Sequence, residues 1–207
     1  LKAIAVRGKR LYVRNAHDPK PIAEIGKALT RRVKDHPQAW DMQQKGTPGL
    51  MDVLNSAGML PTRNFREGVF EGIARIGWDA YEREILVGRG TCYSCSIRCK
   101  REVEVTEGPH RVDRAYGGPE YETLQGFGGY CGIDDLQAIA KANELCNRYV
   151  IDTISTSATI AFAMECFERG LIGPADTGGI ELRFGNVDAM LRTIELIGRR
   201  EGFGALL

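Results

Sequence analysis

Three cysteines crowd into eight residues near the middle of the chain, in the segment TCYSCSIRCK. Cys92, Cys95 and Cys99 form a C-x2-C-x3-C pattern. The short first spacing lets two thiolates converge on one site from a turn, and three soft ligands of this kind select zinc or an iron-sulfur centre. Arg98 and Lys100 add positive charge that favours deprotonated sulfurs. The pattern therefore predicts a metal or cluster site in this loop.

The source of a fourth ligand stays open on the residues alone. Cys131, Cys146 and Cys166 are spare thiols, and sequence outside this chain is the other source. These three stand singly on apolar faces of helical sequence, where a cysteine is usually a small core residue. A zinc site closed within the chain and a [4Fe-4S] cluster completed from elsewhere both fit the spacing. The distribution does not suit a disulfide framework.

The chain is predicted to be mainly α, a multi-helical array with a short N-terminal strand and a small extended excursion after the cysteines. LKAIAV at the start is the strand, and the alternation at Val103 and Val105 indicates the excursion. Apolar residues at helical spacing and capping residues indicate the helices. Helices are predicted over residues 21–35 and 66–87, from Asp134 or Asp135, after Asp152 and after Asn186, and residues 50–54 form a short apolar segment.

Charge and hydropathy exclude two classes of partner. The 207 residues carry a formal net charge of +1, spread along the chain, which leaves no basic patch for nucleic acid or an anionic membrane. No apolar run approaches the roughly 20 residues that span a bilayer, and the opening LKAIAVRGKR lacks the apolar core of a secretory signal. We therefore expect a cytoplasmic protein without a nucleic-acid or membrane partner.

Several further segments accompany the cysteines in a fixed order. They are NFREG, CYSCSIRC, GGPEYET, CGIDDL, ANELCNRYVIDTIST, IAFAMECFERGLI and REGFGALL. In this order they resemble the aldehyde ferredoxin oxidoreductase family over essentially the whole chain. The resemblance implies an enzyme that oxidises small aldehydes to carboxylic acids. It also implies a tungsten (or molybdenum) bis-pterin, one [4Fe-4S] cluster and ferredoxin as the electron acceptor.

The same resemblance assigns the domains and the cluster ligands. It makes the three clustered cysteines ligands of the [4Fe-4S] cluster and places the fourth ligand beyond Leu207. Residues 1–8 correspond to the tail end of a preceding N-terminal pterin-binding domain, and residues 9–207 to a helical domain truncated at its C-terminal end. We therefore expect an internal fragment, inactive in isolation, whose partners are the remainder of the same polypeptide, ferredoxin and a second copy in any homo-oligomer.

The segment PEYE carries the candidate catalytic acids. The family has a carboxylate near tungsten there, which the resemblance places at Glu120 or Glu122, with Glu122 preferred. A buried acid with a raised pKa can take up the proton that is lost when water or hydroxide attacks the carbonyl carbon. The alternative is that both glutamates are ordinary acidic residues of a first helical turn after Pro119.

The family's pterin-contact motif, D-x-x-G-L-D, matches residues 147–152 with two departures. Asn147 stands where the family has aspartate, and Val150 stands where it has glycine. By the resemblance Asn147, backbone groups at Ile151 and Asp152 contact the pterin, since Asn147 still offers hydrogen bonds. Val150 is expected to forbid the positive φ that glycine allows. The alternative is a plain corner between two helices, capped by Asp152.

A function of a different class also fits the residues. A non-catalytic electron-transfer or zinc-stabilised module would close a four-cysteine site within the chain, with Cys131 as the nearest spare thiol. Tungsten with about four irons indicates the enzyme, and a single zinc indicates the module.

Overall fold

The computed structural model describes Arg7 and residues 16–207. Helices dominate it, so the predicted fold class, mainly α, is confirmed. The α-helices are α1 (Pro19–Asp35), α2 (Pro37–Lys45), α3 (Leu50–Ser56), α4 (Ile73–Ile76), α5 (Trp78–Glu84), α6 (Tyr121–Leu124), α7 (Leu136–Tyr149), α8 (Thr153–Glu168) and α9 (Val187–Arg199). The strand predicted for LKAIAV lies outside the described residues.

Helix α1 begins at Pro19, slightly before its predicted start. Asp18 explains the difference, because its carboxylate accepts a hydrogen bond from the Lys20 backbone N–H at 3.1 Å and caps the helix. The apolar face predicted for α1 is present but not covered by the part of the chain that the structure describes. Ile25 and Leu29 on that face are 60% and 56% exposed.

The prediction of one helix over residues 66–87 is wrong. The segment contains a loop, the short helices α4 and α5, and the start of a β-strand. Gly77 separates α4 from α5 in an extended conformation, and Asp52 of α3 accepts a hydrogen bond from the Trp78 backbone N–H at 3.0 Å. The start of α5 is therefore fixed by a residue from another helix. Phe70 is buried although it lies in the loop, so apolar spacing there reflects burial without a helix.

Strand β1 (Leu86–Arg89) pairs with strand β2 (Arg101–Val103) in an antiparallel sheet. The register places Arg89 opposite Arg101. Val105 continues the extended chain in an isolated bridge. The extended excursion predicted after the cysteines is thus confirmed, and its partner strand lies before them. The pairing closes the cysteine segment into a loop.

The long helices α7, α8 and α9 begin at their predicted caps. Asp135, Asp152 and Asn186 each accept a hydrogen bond from the backbone N–H three residues later, at 2.9, 2.6 and 3.1 Å. A π-helical segment, Gln125–Tyr130, continues α6 and packs against α7 and α8. The buried faces of these elements form most of the hydrophobic core.

No single helix within residues 16–207 combines the length and apolar character needed to cross a membrane. Helices α7 and α8 meet those criteria only as a joined pair, and they are bent by 116° at the corner between them. Both helices bury side chains in the core.

The corner between α7 and α8 overturns the expectation for Val150. This residue adopts φ 55° and ψ 48°, the left-handed conformation that a β-branched side chain was expected to forbid. The Val150 N–H donates to the Asn147 carbonyl at 3.2 Å, and the Ile151 N–H donates to the Cys146 carbonyl at 3.0 Å. These bonds satisfy carbonyls at the end of α7 and offset the steric cost of the conformation.

We expect Val150→Gly to stabilise the protein by about 0.5–1 kcal/mol, because glycine removes a left-handed strain of about 1–2 kcal/mol and loses part of that gain to its greater freedom in the unfolded chain. Val150 is 55% exposed, so little packing is lost. Urea denaturation measures the change. Val53→Gly is the matched control: Val53 is 63% exposed but lies inside α3, where glycine lowers stability. Destabilisation by both variants would contradict the prediction.

Candidate functional site

The loop between β1 and β2 carries the clustered cysteines. The Cys95 N–H donates to the Cys92 carbonyl at 3.1 Å and closes the first turn. Ser94 and Arg98 have positive φ values of 54° and 58°. One left-handed residue therefore lies between each two successive cysteines and turns the chain back. These residues bend the segment between Cys92 and Cys99.

The thiols of this loop differ in exposure and in acidity. Cys92 is exposed, whereas Cys95 and Cys99 are half-buried. Hydrogen bonds from backbone N–H groups, first that of Arg98, lower the pKa of Cys95. Burial and then the negative charge of Glu120 raise the pKa of Cys99. The backbone, rather than the side-chain charge of the neighbouring basic residues, is thus what favours a thiolate at Cys95.

The spare cysteines belong to the core. The Cys131 thiol is fully buried and donates to the Ser157 carbonyl at 3.7 Å, and burial raises its pKa. Burial also raises the pKa of Cys146, to about 12, and Cys166 is half-buried. Within residues 16–207 no three Cys, His, Asp or Glu side chains lie together as a metal-binding set. This holds for Cys92, Cys95 and Cys99 as much as for any set that includes Cys131, Cys146 or Cys166.

Glu107 and His110 have the E-x-x-H spacing, which can bind a metal. In the structure His110 lies beside the start of α7, with Nε2 3.9 Å from Asp135 Oδ2. Glu107 is exposed. The pair therefore forms part of a surface turn, and the structure adds no further ligand to it among the described residues.

Gly46 ends α2 directly against the cysteine loop. It has φ 67°, and a Cβ atom at this position would lie 2.5 Å from the carbonyl oxygen of Cys99 and 3.0 Å from Nε of Arg101. A residue with a side chain would push these groups apart. The close approach of α2 to the third cysteine therefore depends on glycine.

A cleft of about 370 Å³ lies next to the loop. Glu120, Asn147, Ile151 and Asp152 line it, together with Arg101. The start of α6 supplies the carboxylate, and the corner between α7 and α8 supplies the other three predicted residues. The structure thus brings one predicted catalytic acid and all the predicted pterin contacts into a single site.

The two candidate glutamates occupy different environments. Glu120 is half-buried in the cleft, where the hydroxyl of Thr47 donates to its Oε2, and that hydroxyl accepts a hydrogen bond from the Tyr121 backbone N–H at 2.9 Å. Glu122 is exposed in the first turn of α6, where its charge suits the helix dipole. The geometry favours Glu120, the reverse of the preference drawn from the sequence.

The corner residues combine a structural and a binding role. Asn147 Nδ2 donates to the Asn143 carbonyl at 2.9 Å, and the Asp152 carboxylate caps α8 through the Ser155 N–H. The Ser155 hydrogen bonds lower the pKa of Asp152, which keeps it ionised at neutral pH. Both side chains remain open to the cleft. The plain-corner interpretation is therefore correct for Asp152 without excluding contact with a ligand.

Two residues of the site escaped the sequence analysis. Arg101 is buried between the loop and α2, and Thr47 holds Glu120. Each acts through a partner far away in the chain, and neither belongs to a spaced motif. The sequence signal for Arg101 was its position two residues after Cys99, where Arg98 and Lys100 are also basic.

The family model described as aldehyde ferredoxin oxidoreductase, domains 2 and 3, matches residues 24–207. The chain belongs to the aldehyde ferredoxin oxidoreductase family. It is 38% identical over its full length to the tungsten-containing aldehyde ferredoxin oxidoreductase of Pyrococcus abyssi, and 34% identical over 99% of its length to that of Pyrococcus furiosus. Over 56% of its length it is 29% identical to the WOR-like subunit of an aliphatic sulfonate oxidoreductase of Pyrococcus furiosus.

The chain spans about a third of the length of these aldehyde ferredoxin oxidoreductases, 34% and 33% respectively. The family assignment confirms the resemblance read from the cysteine segment and its neighbours. The family membership and the relatives' names support an oxidoreductase related to tungsten enzymes.

Gly46→Ala should destabilise the protein more than Gly58→Ala does. Both glycines have positive φ, 67° and 72°, so both variants carry a left-handed strain of about 1–2 kcal/mol. Only at position 46 does the new Cβ meet the Cys99 carbonyl, which adds about 1–3 kcal/mol of overpacking. At Gly58 nothing lies within 4 Å of the new atom. Urea denaturation compares the two, and equal losses would show that the contact at Cys99 is not close.

Proposed function

We propose that this chain forms part of the active site of an enzyme that oxidises aldehydes to carboxylic acids and passes the electrons to ferredoxin. The observation that carries the proposal is the cleft shared by Glu120, Asn147, Ile151 and Asp152 beside the cysteine loop. Family membership and the names of the tungsten-containing relatives support it. The remainder of the polypeptide completes the site, and we infer a cytoplasmic location.

The donor chemistry of the cysteine loop fits an iron-sulfur cluster. Cys92, Cys95 and Cys99 supply three thiols, two of them half-buried and one exposed, so that a further ligand can approach from outside the loop. Backbone N–H groups already stabilise a thiolate at Cys95. A bound [4Fe-4S] cluster supplies single-electron transfer towards ferredoxin. The loop's own task is to hold that cluster next to the cleft.

The cleft fits a pterin through its polar lining. Asn147 and Asp152 offer hydrogen-bonding side chains, and the residues around Ile151 offer backbone groups. A tungsten (or molybdenum) bis-pterin supplies the two-electron oxidation when it is bound. The chain orients the pterin and an aldehyde between the corner and the start of α6. Asn147 lacks the charge of an aspartate, so it acts by hydrogen bonds alone.

We assign proton transfer to Glu120. Thr47 holds Oε2 of its carboxylate, which leaves Oε1 to accept the proton that is lost when water attacks the carbonyl carbon of the aldehyde. The half-buried position excludes part of the solvent from this carboxylate. Glu122 is exposed and does not line the cleft, so it serves the dipole of α6.

The metal content of the full-length protein, prepared without oxygen, tests the proposal. We expect tungsten and about four irons per chain, with broad absorbance near 400 nm. Cys95→Ser should lower the iron content, whereas Cys166→Ser, which alters a cysteine outside the loop, should leave it unchanged. Circular dichroism should show the same helical content in both variants. One zinc per chain without colour would overturn the proposal.

The two glutamates provide a matched pair for the catalytic assignment. Glu120→Gln should lower kcat for aldehyde oxidation by about 10²–10⁴-fold, the usual contribution of a positioned acid or base. Glu122→Gln should leave kcat close to that of the unmodified enzyme. Tungsten and iron contents of both variants are measured alongside, so that loss of a cofactor is not mistaken for loss of proton transfer. A larger loss in Glu122→Gln would return the role to Glu122.

A further inference from the structure

Arg101 is a buried arginine directly beside the cysteine loop. Its residue surface is 2% exposed, and it is the one lysine or arginine that is buried within residues 16–207. Removing a guanidinium from water is costly, so a buried arginine normally lies beside a carboxylate. Arg101 forms no ion pair with any residue in the described range.

Backbone carbonyls take the place of that carboxylate. Nη1 donates to the carbonyls of Arg98 and Lys100 at 3.3 and 2.9 Å, and these two residues flank the third cysteine. Nη2 donates to the carbonyls of Met42 and Gln43 at 3.3 and 2.8 Å, in the last turns of α2. The planar guanidinium therefore ties both sides of the Cys99 turn to the end of a helix.

Four carbonyl dipoles do not cancel a full positive charge, and Glu120, in the same cleft, acts on Arg101 electrostatically without forming an ion pair. Nε of Arg101 also lacks a hydrogen-bond partner, the one buried side-chain nitrogen or oxygen of this kind among the described residues. Arg101 lines the cleft of Glu120 and a second cavity of about 610 Å³ beside the loop. The site thus holds a permanent cation next to the cysteines, and a cluster held by thiolates carries the opposite charge.

We propose that Arg101 is a positioning residue for the cluster. It holds the Cys99 turn in place through the four carbonyls, and its charge favours the reduced form of the cluster, which raises the cluster's reduction potential. This inference rests on the proposed function, in which the three cysteines bind a [4Fe-4S] cluster. A merely structural arginine would affect folding but not the potential.

Arg101→Gln in the full-length holoprotein is the main test, by anaerobic redox titration followed by electron paramagnetic resonance. The variant should have a more negative cluster reduction potential and a lower iron content, because it lacks both the positive charge and the guanidinium that donates to four backbone carbonyls. Arg101→Lys keeps the charge, so the potential should return towards the original value, while the iron content stays lower. Arg89→Gln is the matched control, because Arg89 lies opposite Arg101 in the sheet, is exposed and loses the same charge.

Several results would overturn the inference. One is an unchanged potential with full iron content in Arg101→Gln, and another is an equal shift in Arg89→Gln. If Arg101→Gln does not fold, as judged by circular dichroism, Arg101→Lys is the deciding variant. An unchanged iron content together with an unchanged electron paramagnetic resonance spectrum in Arg101→Lys overturns the proposal. Failure of both variants to fold also overturns it. An unmodified holoprotein without a cluster, or a Cys95→Ser variant that keeps its iron, instead refutes the proposed function.

Discussion

The candidate site depends on the antiparallel pairing of β1 with β2. This pairing closes the cysteine segment into a loop and brings Arg101 beneath it. The Arg101 carbonyl accepts a hydrogen bond from the Gly118 N–H at 2.8 Å, and the Tyr81 hydroxyl donates to the Pro119 carbonyl at 3.2 Å. These bonds set the path of the chain that leads to Glu120. One small sheet therefore orders the cysteine loop and the Glu120 carboxylate together, although sheet residues are few among the described residues.

The other wall of the cleft is made by the way a helix ends. Helix α7 stops in a left-handed residue, Val150, and α8 starts immediately afterwards at its Asp152 cap. The sharp bend turns Asn147, Ile151 and Asp152 towards the start of α6. Caps and corners leave polar groups at helix ends that can also meet a ligand. The residues that shape the corner are therefore the residues available for binding, and the two roles need not exclude each other.

Sequence signals predict this molecule where they are local. The caps Asp135, Asp152 and Asn186 act within one turn, and the helices that follow them were predictable for that reason. The start of α5 depends on Asp52, and the placement of Glu120 depends on Thr47, both distant in the chain. The sequence therefore pointed to the two glutamates of the PEYE segment and preferred Glu122, because it could not show that Thr47 holds Glu120 in the cleft. It also revealed the cysteine spacing but not the arginine that supports it.

A comparison of two buried charges supports a special role for Arg101. Glu144 in α7 is 3% exposed. Its carboxylate accepts hydrogen bonds from the Asp113 N–H at 2.8 Å and from Lys141 Nζ at 2.7 Å. The fold thus places a counter-charge beside a buried charge that serves packing. Arg101 has no carboxylate at ion-pair distance among the described residues, and the charge of Glu120, which lines the same cleft, acts on it only from farther away. The imbalance lies next to three thiols, which is where an anionic cluster would remove it.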